Sequence, residues 1–162
     1  MVIIMTNLKD NCINTDSVPW DSPGAGLRCF FERSSSPMML SDPESLRIIA
    51  ANPAACSFYG YKAVEFTSLT VCDITGLSRE EALRSMELVK TNRQNTYESR
   101  HNMADGSMRF VELDAVPLGD DNSLFLTTVR DITARKEAEE ELRRSEENFR
   151  TLAESTKDVI WT

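Results

Sequence analysis

Ile48-Ile49-Ala50-Ala51-Asn52-Pro53-Ala54-Ala55 decides how this chain is read. Its first half is an apolar, strand-like run, and its second half carries the opening signals of a helix. Asn52 offers a side-chain acceptor to the unpaired N–H groups of a first helical turn. Pro53 fits the first helical position, where no N–H is required. Ala54, Ala55, Phe58 and Tyr59 continue the helix to Gly60, a residue suited to a left-handed stop. Upstream, Leu46 to Ala50 forms one strand and Met38 with Leu40 another. Asp42-Pro43-Glu44-Ser45 turns between them, so the pair is a hairpin. A short helix from Leu27 to Ser34 places Leu27, Phe30 and Phe31 on one face. Residues 1–26 are rich in Asn, Asp, Ser, Pro and Gly without periodicity, and are expected to be a flexible lead-in.

Downstream, short helical pieces fill Tyr61 to Leu77. Ser78 then opens a clearer helix, because Glu81 three residues on completes a capping box. Its apolar stripe is Ala82, Leu83, Met86 and Val89, and it runs to about Asn92. Thr96 to Asn102 and Met108 to Leu118 are strands flanking Asp105-Gly106, a hairpin signal. Gly119-Asp120-Asp121-Asn122 turns into a last strand, Leu124 to Val129. From Ala134 to Arg150 strong helix formers dominate, with Glu139/Arg143, Glu140/Arg144 and Glu146/Arg150 at favourable spacing. Strand runs joined by tight turns predict an α+β domain, with a five-stranded antiparallel sheet, helices on one face and a C-terminal linker helix.

The composition narrows the function. The chain has 162 residues and a formal net charge of −8, which repels phosphate backbones and argues against nucleic acid as a partner. No apolar run approaches the roughly 18 residues of a membrane helix, so no membrane insertion is expected. Met1-Val2-Ile3-Ile4-Met5 is too short for a signal-peptide core, which leaves the cytoplasm as the expected compartment. Cys12, Cys29, Cys56 and Cys72 are scattered and none pairs with histidine at zinc-ligand spacing. Buried, reduced thiols and no metal are expected. No phosphate-binding glycine loop or nucleophile–base pattern is present, so no catalytic residue is assigned and the chain is read as regulatory rather than an enzyme.

Four stretches together resemble the PAS domain, the sensory fold of bacterial and archaeal signal-transduction proteins. They are Ile48 to Ala55, then Tyr59-Gly60-Tyr61, then Asp105-Gly106-Ser107, and finally Arg130-Asp131-Ile132-Thr133-Ala134-Arg135-Lys136. Each is short, but their order and spacing agree. The resemblance covers residues 27–133, with 134–150 as linker helix. A fainter internal similarity sets Leu27-Arg28-x-Phe30-x-Glu32 beside Phe149-Arg150-x-Leu152-x-Glu154, and Met38 beside Ile160. Residues 149–162 would then begin a second, truncated PAS domain, against the alternative of chance overlap between two amphipathic helices.

Strand parity sends Val111, Leu113 and Ala115 to one face of their strand, and Glu112 and Asp114 to the other. The last strand is ambiguous by pattern. There the resemblance selects Phe125, Thr127 and Val129 as inward, and it places Tyr97, Ser99 and His101 inward on the partner strand. With Met86 and Val89 these residues wall the site where PAS domains hold ligands. His101, the only histidine, stands between three roles: haem ligand, hydrogen-bonded strand residue, or contact to a small anion. Haem-binding relatives take their histidine from the preceding helix, which here has none. Cys72 lies where light-sensing flavin relatives keep a reactive cysteine, but Val71-Cys72-Asp73-Ile74-Thr75 lacks their flavin-binding partners. The residues therefore specify no cofactor.

The resemblance implies a sensory input module that binds a small molecule or partner. The change then passes through Asp131, Ile132 and Thr133 and the trailing helix to an output domain such as a histidine kinase or diguanylate cyclase, within a two-component or similar system. Thr133 is expected to cap that helix, and Asp131 to hold the junction by pairing with a basic group; a merely well-capped junction is the alternative. Ala138, Leu142, Ser145, Phe149 and Leu152 alternate by four and three residues, the spacing of a two-chain coiled coil and hence of a homodimer. An amphipathic helix docked on a neighbouring domain fits the same pattern. The second functional alternative is a ligand-free PAS module for dimerisation or scaffold assembly.

Overall fold

In the computed structural model, residues 25–91, 95–118 and 122–157 are described. The proposed lead-in up to residue 24, Cys12, most of the turn before Asn122, and Ile160 lie outside them. Helix α1 (Ala25–Arg33) leads to strand β1 (Met38–Ser41), which turns back into β2 (Ile48–Ala51). The two pair antiparallel, with Met39 opposite Ala51 and Leu40 opposite Ala50. Asp42 shapes the turn, its carboxylate accepting the N–H groups of Glu44 and Ser45 at 2.8 and 3.2 Å.

Leu46 departs from the expected strand. It takes the left-handed conformation (φ 64°), a costly one for leucine. Its fully buried side chain packs with Ala82, Met86, Val89, Ala115 and Phe125, and its carbonyl accepts the Val71 N–H at 2.8 Å. Burial of a whole leucine contributes about 2 kcal/mol, enough to offset the backbone strain.

Helices α2 (Pro53–Tyr59), α3 (Ala63–Phe66), α4 (Val71–Thr75) and α5 (Arg79–Lys90) follow. Gly60 ends α2 at φ 80°, and the Ser78–Glu81 capping box opens α5. Ala82, Met86 and Val89 are buried on α5, whereas Leu83 is partly exposed. Strands β3 (Thr96–Asn102), β4 (Met108–Leu118) and β5 (Leu124–Asp131) complete an antiparallel sheet in the order β2-β1-β5-β4-β3. Helix α6 (Thr133–Lys157) trails from it.

The buried side chains divide by strand parity. Met39, Val111, Leu113, Phe125 and Val129 meet residues of α2 to α5 on one face. Met38 and Leu40 point the other way and meet Phe31 of α1, so α1 adds a small layer on the opposite face. Of the aromatic pair expected to lie inward on α1, only Phe31 does; Phe30 is exposed. The side chain of Leu27 lies outside the described set.

Asn52 ties these parts together. Completely buried, it accepts N–H groups from both Met38 and Ala55 through Oδ1, at 2.9 and 2.8 Å. Its amide donates to the carbonyls of Phe31 and Ser36, at 3.1 and 2.9 Å. One side chain thus caps α2, docks the end of α1 and starts β1.

Candidate functional site

The inner face of β3, β4 and β5 carries the expected site residues. Tyr97 lies opposite Leu113, Ser99 opposite Val111, and His101 opposite Arg109. Across the other seam, Val111 faces Asp131, Leu113 faces Val129, and Ala115 faces Thr127. Val111, Leu113, Thr127, Val129 and His101 are buried, and Tyr97 and Ser99 half-buried. Val111, Leu113, Val129 and Tyr97 share one apolar cluster with Tyr59 and Phe66. Met86 and Val89 belong to the neighbouring cluster around Phe125, and Tyr97 touches both.

His101 is held from an unexpected side. Its Nδ1 lies 2.7 Å from the Tyr59 hydroxyl, which the last turn of α2 carries into the core. Burial lowers the His101 pKa from 6.5 to about 4, so the ring is neutral at pH 7. Burial also pushes the Tyr59 phenol upward, so it keeps its proton. Among the described residues that hydroxyl meets no other acceptor, which assigns the O–H as donor to Nδ1 and leaves the ring proton on Nε2. Nε2 is itself buried and meets no partner among the described residues. A buried donor without a partner costs roughly 1–3 kcal/mol. The arrangement can therefore offer one directed hydrogen bond to an acceptor.

At the sheet end beyond His101, β5 passes into α6. Asp131 receives Arg109 Nη1 on one oxygen at 2.9 Å and the Thr133 N–H on the other at 2.9 Å. Burial works to raise the Asp131 carboxyl, but the hydrogen bonds from Thr133 and Arg109 outweigh it and hold the group below its ordinary value. The expected basic partner of Asp131 is thus Arg109.

Thr133 differs from its expected role. Its hydroxyl accepts the N–H of Phe110 on β4 at 3.0 Å rather than an N–H of α6. The backbone explains this: Ile132 N–H donates to the Phe110 carbonyl, and Ile132 C=O accepts the Lys136 N–H, so Ile132 stands at the cap position. The threonine is left facing β4 and pins the helix start to the sheet. Glu98 on β3 adds ion pairs to Arg135 and Lys136 at 2.6 and 2.5 Å.

Tyr59, Phe58 and Arg109 were not identified from sequence as parts of this region. Arg109 was within reach, because it has the same parity as Val111 and Leu113. The guanidinium of Arg109 also lies over the Phe58 ring, 5.2 Å from its centroid. Of the thiols expected to be buried, Cys56 is; Cys72 is half-buried on α4 against the Phe125 cluster, and Cys29 on α1 is exposed. Among the described residues no group of three or more His, Cys, Asp or Glu could hold a metal ion, and no helix is long and apolar enough to cross a membrane.

Comparison with known proteins agrees with this architecture. Over 118 residues the chain is 36% identical to the diguanylate cyclase DgcM of Escherichia coli K12; the match takes in 70% of this chain but only 28% of DgcM. A domain of a sensory box sensor histidine kinase/response regulator from Geobacter sulfurreducens is 27% identical with a TM-score of 0.58, covering 65% of this chain and 91% of that one. The PAS domain of an HTR-like protein from Haloarcula marismortui shares the fold at 21% identity and TM-score 0.58, covering 66% and 89%. Residues 35–134, well over half of the chain, match the sequence profile of the PAS domain. The chain belongs to the PAS domain family, a family of sensory and regulatory rather than catalytic modules.

Proposed function

We propose that this chain is the input module of a longer signalling protein. It takes a small molecule against the inner sheet face and passes the change through Asp131, Ile132 and Thr133 into α6. The output domain would be a histidine kinase or a diguanylate cyclase, the activities named for the relatives. The observation that carries this is the junction. Asp131 and Thr133 bind β5, β4 and the start of α6 into one hydrogen-bonded unit, on the same strands that present Val111, Leu113, Thr127 and Val129 to the core, with His101 on the neighbouring β3 paired to Arg109. Tyr97, Ser99 and Met86 complete the proposed lining. The Nε2–H of a neutral His101 suits a compact ligand with a hydrogen-bond acceptor; a positively charged anion site would need a protonated ring.

The proposed partner of α6 is a second copy of the chain. Leu142 and Phe149 are 62% and 77% exposed on its heptad seam, and Ala138 before them and Ser145 between them are exposed too. Arg143 and Arg144 bind Glu140, and Arg143 also binds Glu147 rather than the expected Glu139. Phe149 to Glu154 continue α6 without a break. In the parent protein we take them to lead into a second domain of the same kind.

One observation favours the ligand-free alternative: Tyr59, Phe66 and Phe125 fill the inner side with fully buried rings. An absorption spectrum and native mass spectrometry of the purified chain separate the two readings. A chromophore, or a small molecule released from the folded species on denaturation, is the expected result. A dimer of bare chains, with nothing retained and nothing bound on challenge with cell metabolites, would transfer the chain to the assembly class.

A further inference from the structure

Two consecutive residues at the end of α2 face different parts of the molecule. Tyr59 points into the core and bonds His101 at 2.7 Å. Phe58 is half-buried under the Arg109 guanidinium, which in turn holds Asp131 at 2.9 Å. The two rings touch edge to face, their centroids 5.0 Å apart and their planes at 89°. The turn that carries them is fixed to the β3–β4 loop. Its last carbonyl, that of Tyr59, accepts the Ala104 N–H at 2.8 Å, and Gly60 closes the helix behind it.

We infer that the Phe58–Tyr59 turn of α2 is a relay between the buried His101 bond and the Arg109–Asp131 ion pair, with Phe58 as the positioning residue for Arg109. The inference rests on the proposed role of Asp131 and Thr133 in output. An acceptor that engages Nε2–H turns the imidazole, and with it the direction of the Nδ1 lone pair that holds the Tyr59 hydroxyl. Tyr59 cannot shift alone, because one short helical turn and a ring–ring contact bind it to Phe58. A guanidinium held over a ring and bonded to a carboxylate through one N–H tolerates little displacement before that single contact is lost. When Phe58 moves, Arg109 leaves Asp131, and the carboxylate that accepts the Thr133 N–H loses its counter-charge.

A competing route exists through the sheet, because His101 and Arg109 are cross-strand partners. Removing the Phe58 ring separates the routes, since it leaves that pairing intact. The experiment is amide hydrogen exchange on the full chain for Tyr59→Phe, Phe58→Leu and the double variant. The readout is the Thr133 N–H, normalised to the Val129 N–H, which bonds the Pro37 carbonyl at 2.9 Å. Each single variant is expected to lower Thr133 protection about tenfold beyond any loss at Val129, and the double variant no further than either alone. An effect of Tyr59→Phe smaller than about twofold, or one that survives undiminished in the Phe58→Leu background, overturns the relay. If Phe58→Leu fails to fold, Arg109→Lys replaces it, keeping the charge while losing the planar stacking surface. Asp131→Asn is the control. Loss of Thr133 protection in that variant, with none in Tyr59→Phe, retains the junction and discards only the relay.

Discussion

Lowering the pH from 7 to 5 is expected to cost the folded chain about 2 kcal/mol through His101 alone. The folded pKa is depressed to about 4 by burial, whereas the ordinary value is 6.5. Between those values the unfolded chain binds a proton that the folded chain refuses, so stability rises with pH. It is lost progressively as the pH falls below 6.5, and the loss is nearly complete a little below 4. The chain has no other histidine. Asp42, Asp73, Asp105 and Asp131, with Glu81, Glu98 and Glu140, are held low by hydrogen bonds and ion pairs, and their own losses set in as the pH falls through the ordinary carboxyl range, beginning at about pH 5. Urea denaturation at pH 7, 6 and 5 therefore reads mainly the imidazole, and comparison with a His101 variant isolates it. His101→Gln should abolish most of the slope in that window. A flat profile in the unsubstituted chain would mean that the ring protonates in place, and the neutral-donor assignment would fall with it.

The second large effect belongs to Asn52→Ala, expected to destabilise the fold by about 4 kcal/mol in a denaturation experiment. The substitution leaves the buried N–H groups of Met38 and Ala55 and the buried carbonyl of Phe31 without their partner, together with the part-buried carbonyl of Ser36. Asn52→Asp should not rescue it, because one carboxylate oxygen would then face two carbonyl oxygens. A loss below about 1 kcal/mol, the worth of a helix cap alone, would show that the other bonds are replaced by water.

Asn52 also shows what could be read in advance. Its capping role was legible because a cap concerns neighbours three residues away, and Asn-Pro announces it. Its grip on Phe31 and Met38 was not, since nothing in the local pattern says which distant segment will fold over it. The same division runs through the molecule. The strand pairs around Asp105-Gly106 and the Ser78–Glu81 capping box follow from short-range signals, and both are present in the structure. Parity placed Val111 inward and the family resemblance placed His101 and Thr127 beside it; all three side chains are buried in the structure. Leu46 and Thr133 defeated local reasoning. In the first, tertiary burial overrides backbone preference. In the second, a passing strand offers the hydroxyl a partner that its own helix does not need. The Tyr59–His101 bond joins residues 42 positions apart, and no periodicity announces such a pair.

The central claim is that the state of the core reaches α6 through the junction at Asp131. Its most direct test is the output activity of the proposed longer protein carrying Asp131→Ala, measured across conditions that switch the unsubstituted form. The Arg109–Asp131 pair is 44% and 36% exposed, so its loss should cost the fold only about 1 kcal/mol and leave the chain folded. The expected result is an output fixed at one level whatever the condition. An Asp131→Ala protein that still switches over its full range would contradict the account and reduce the junction to a well-made helix start.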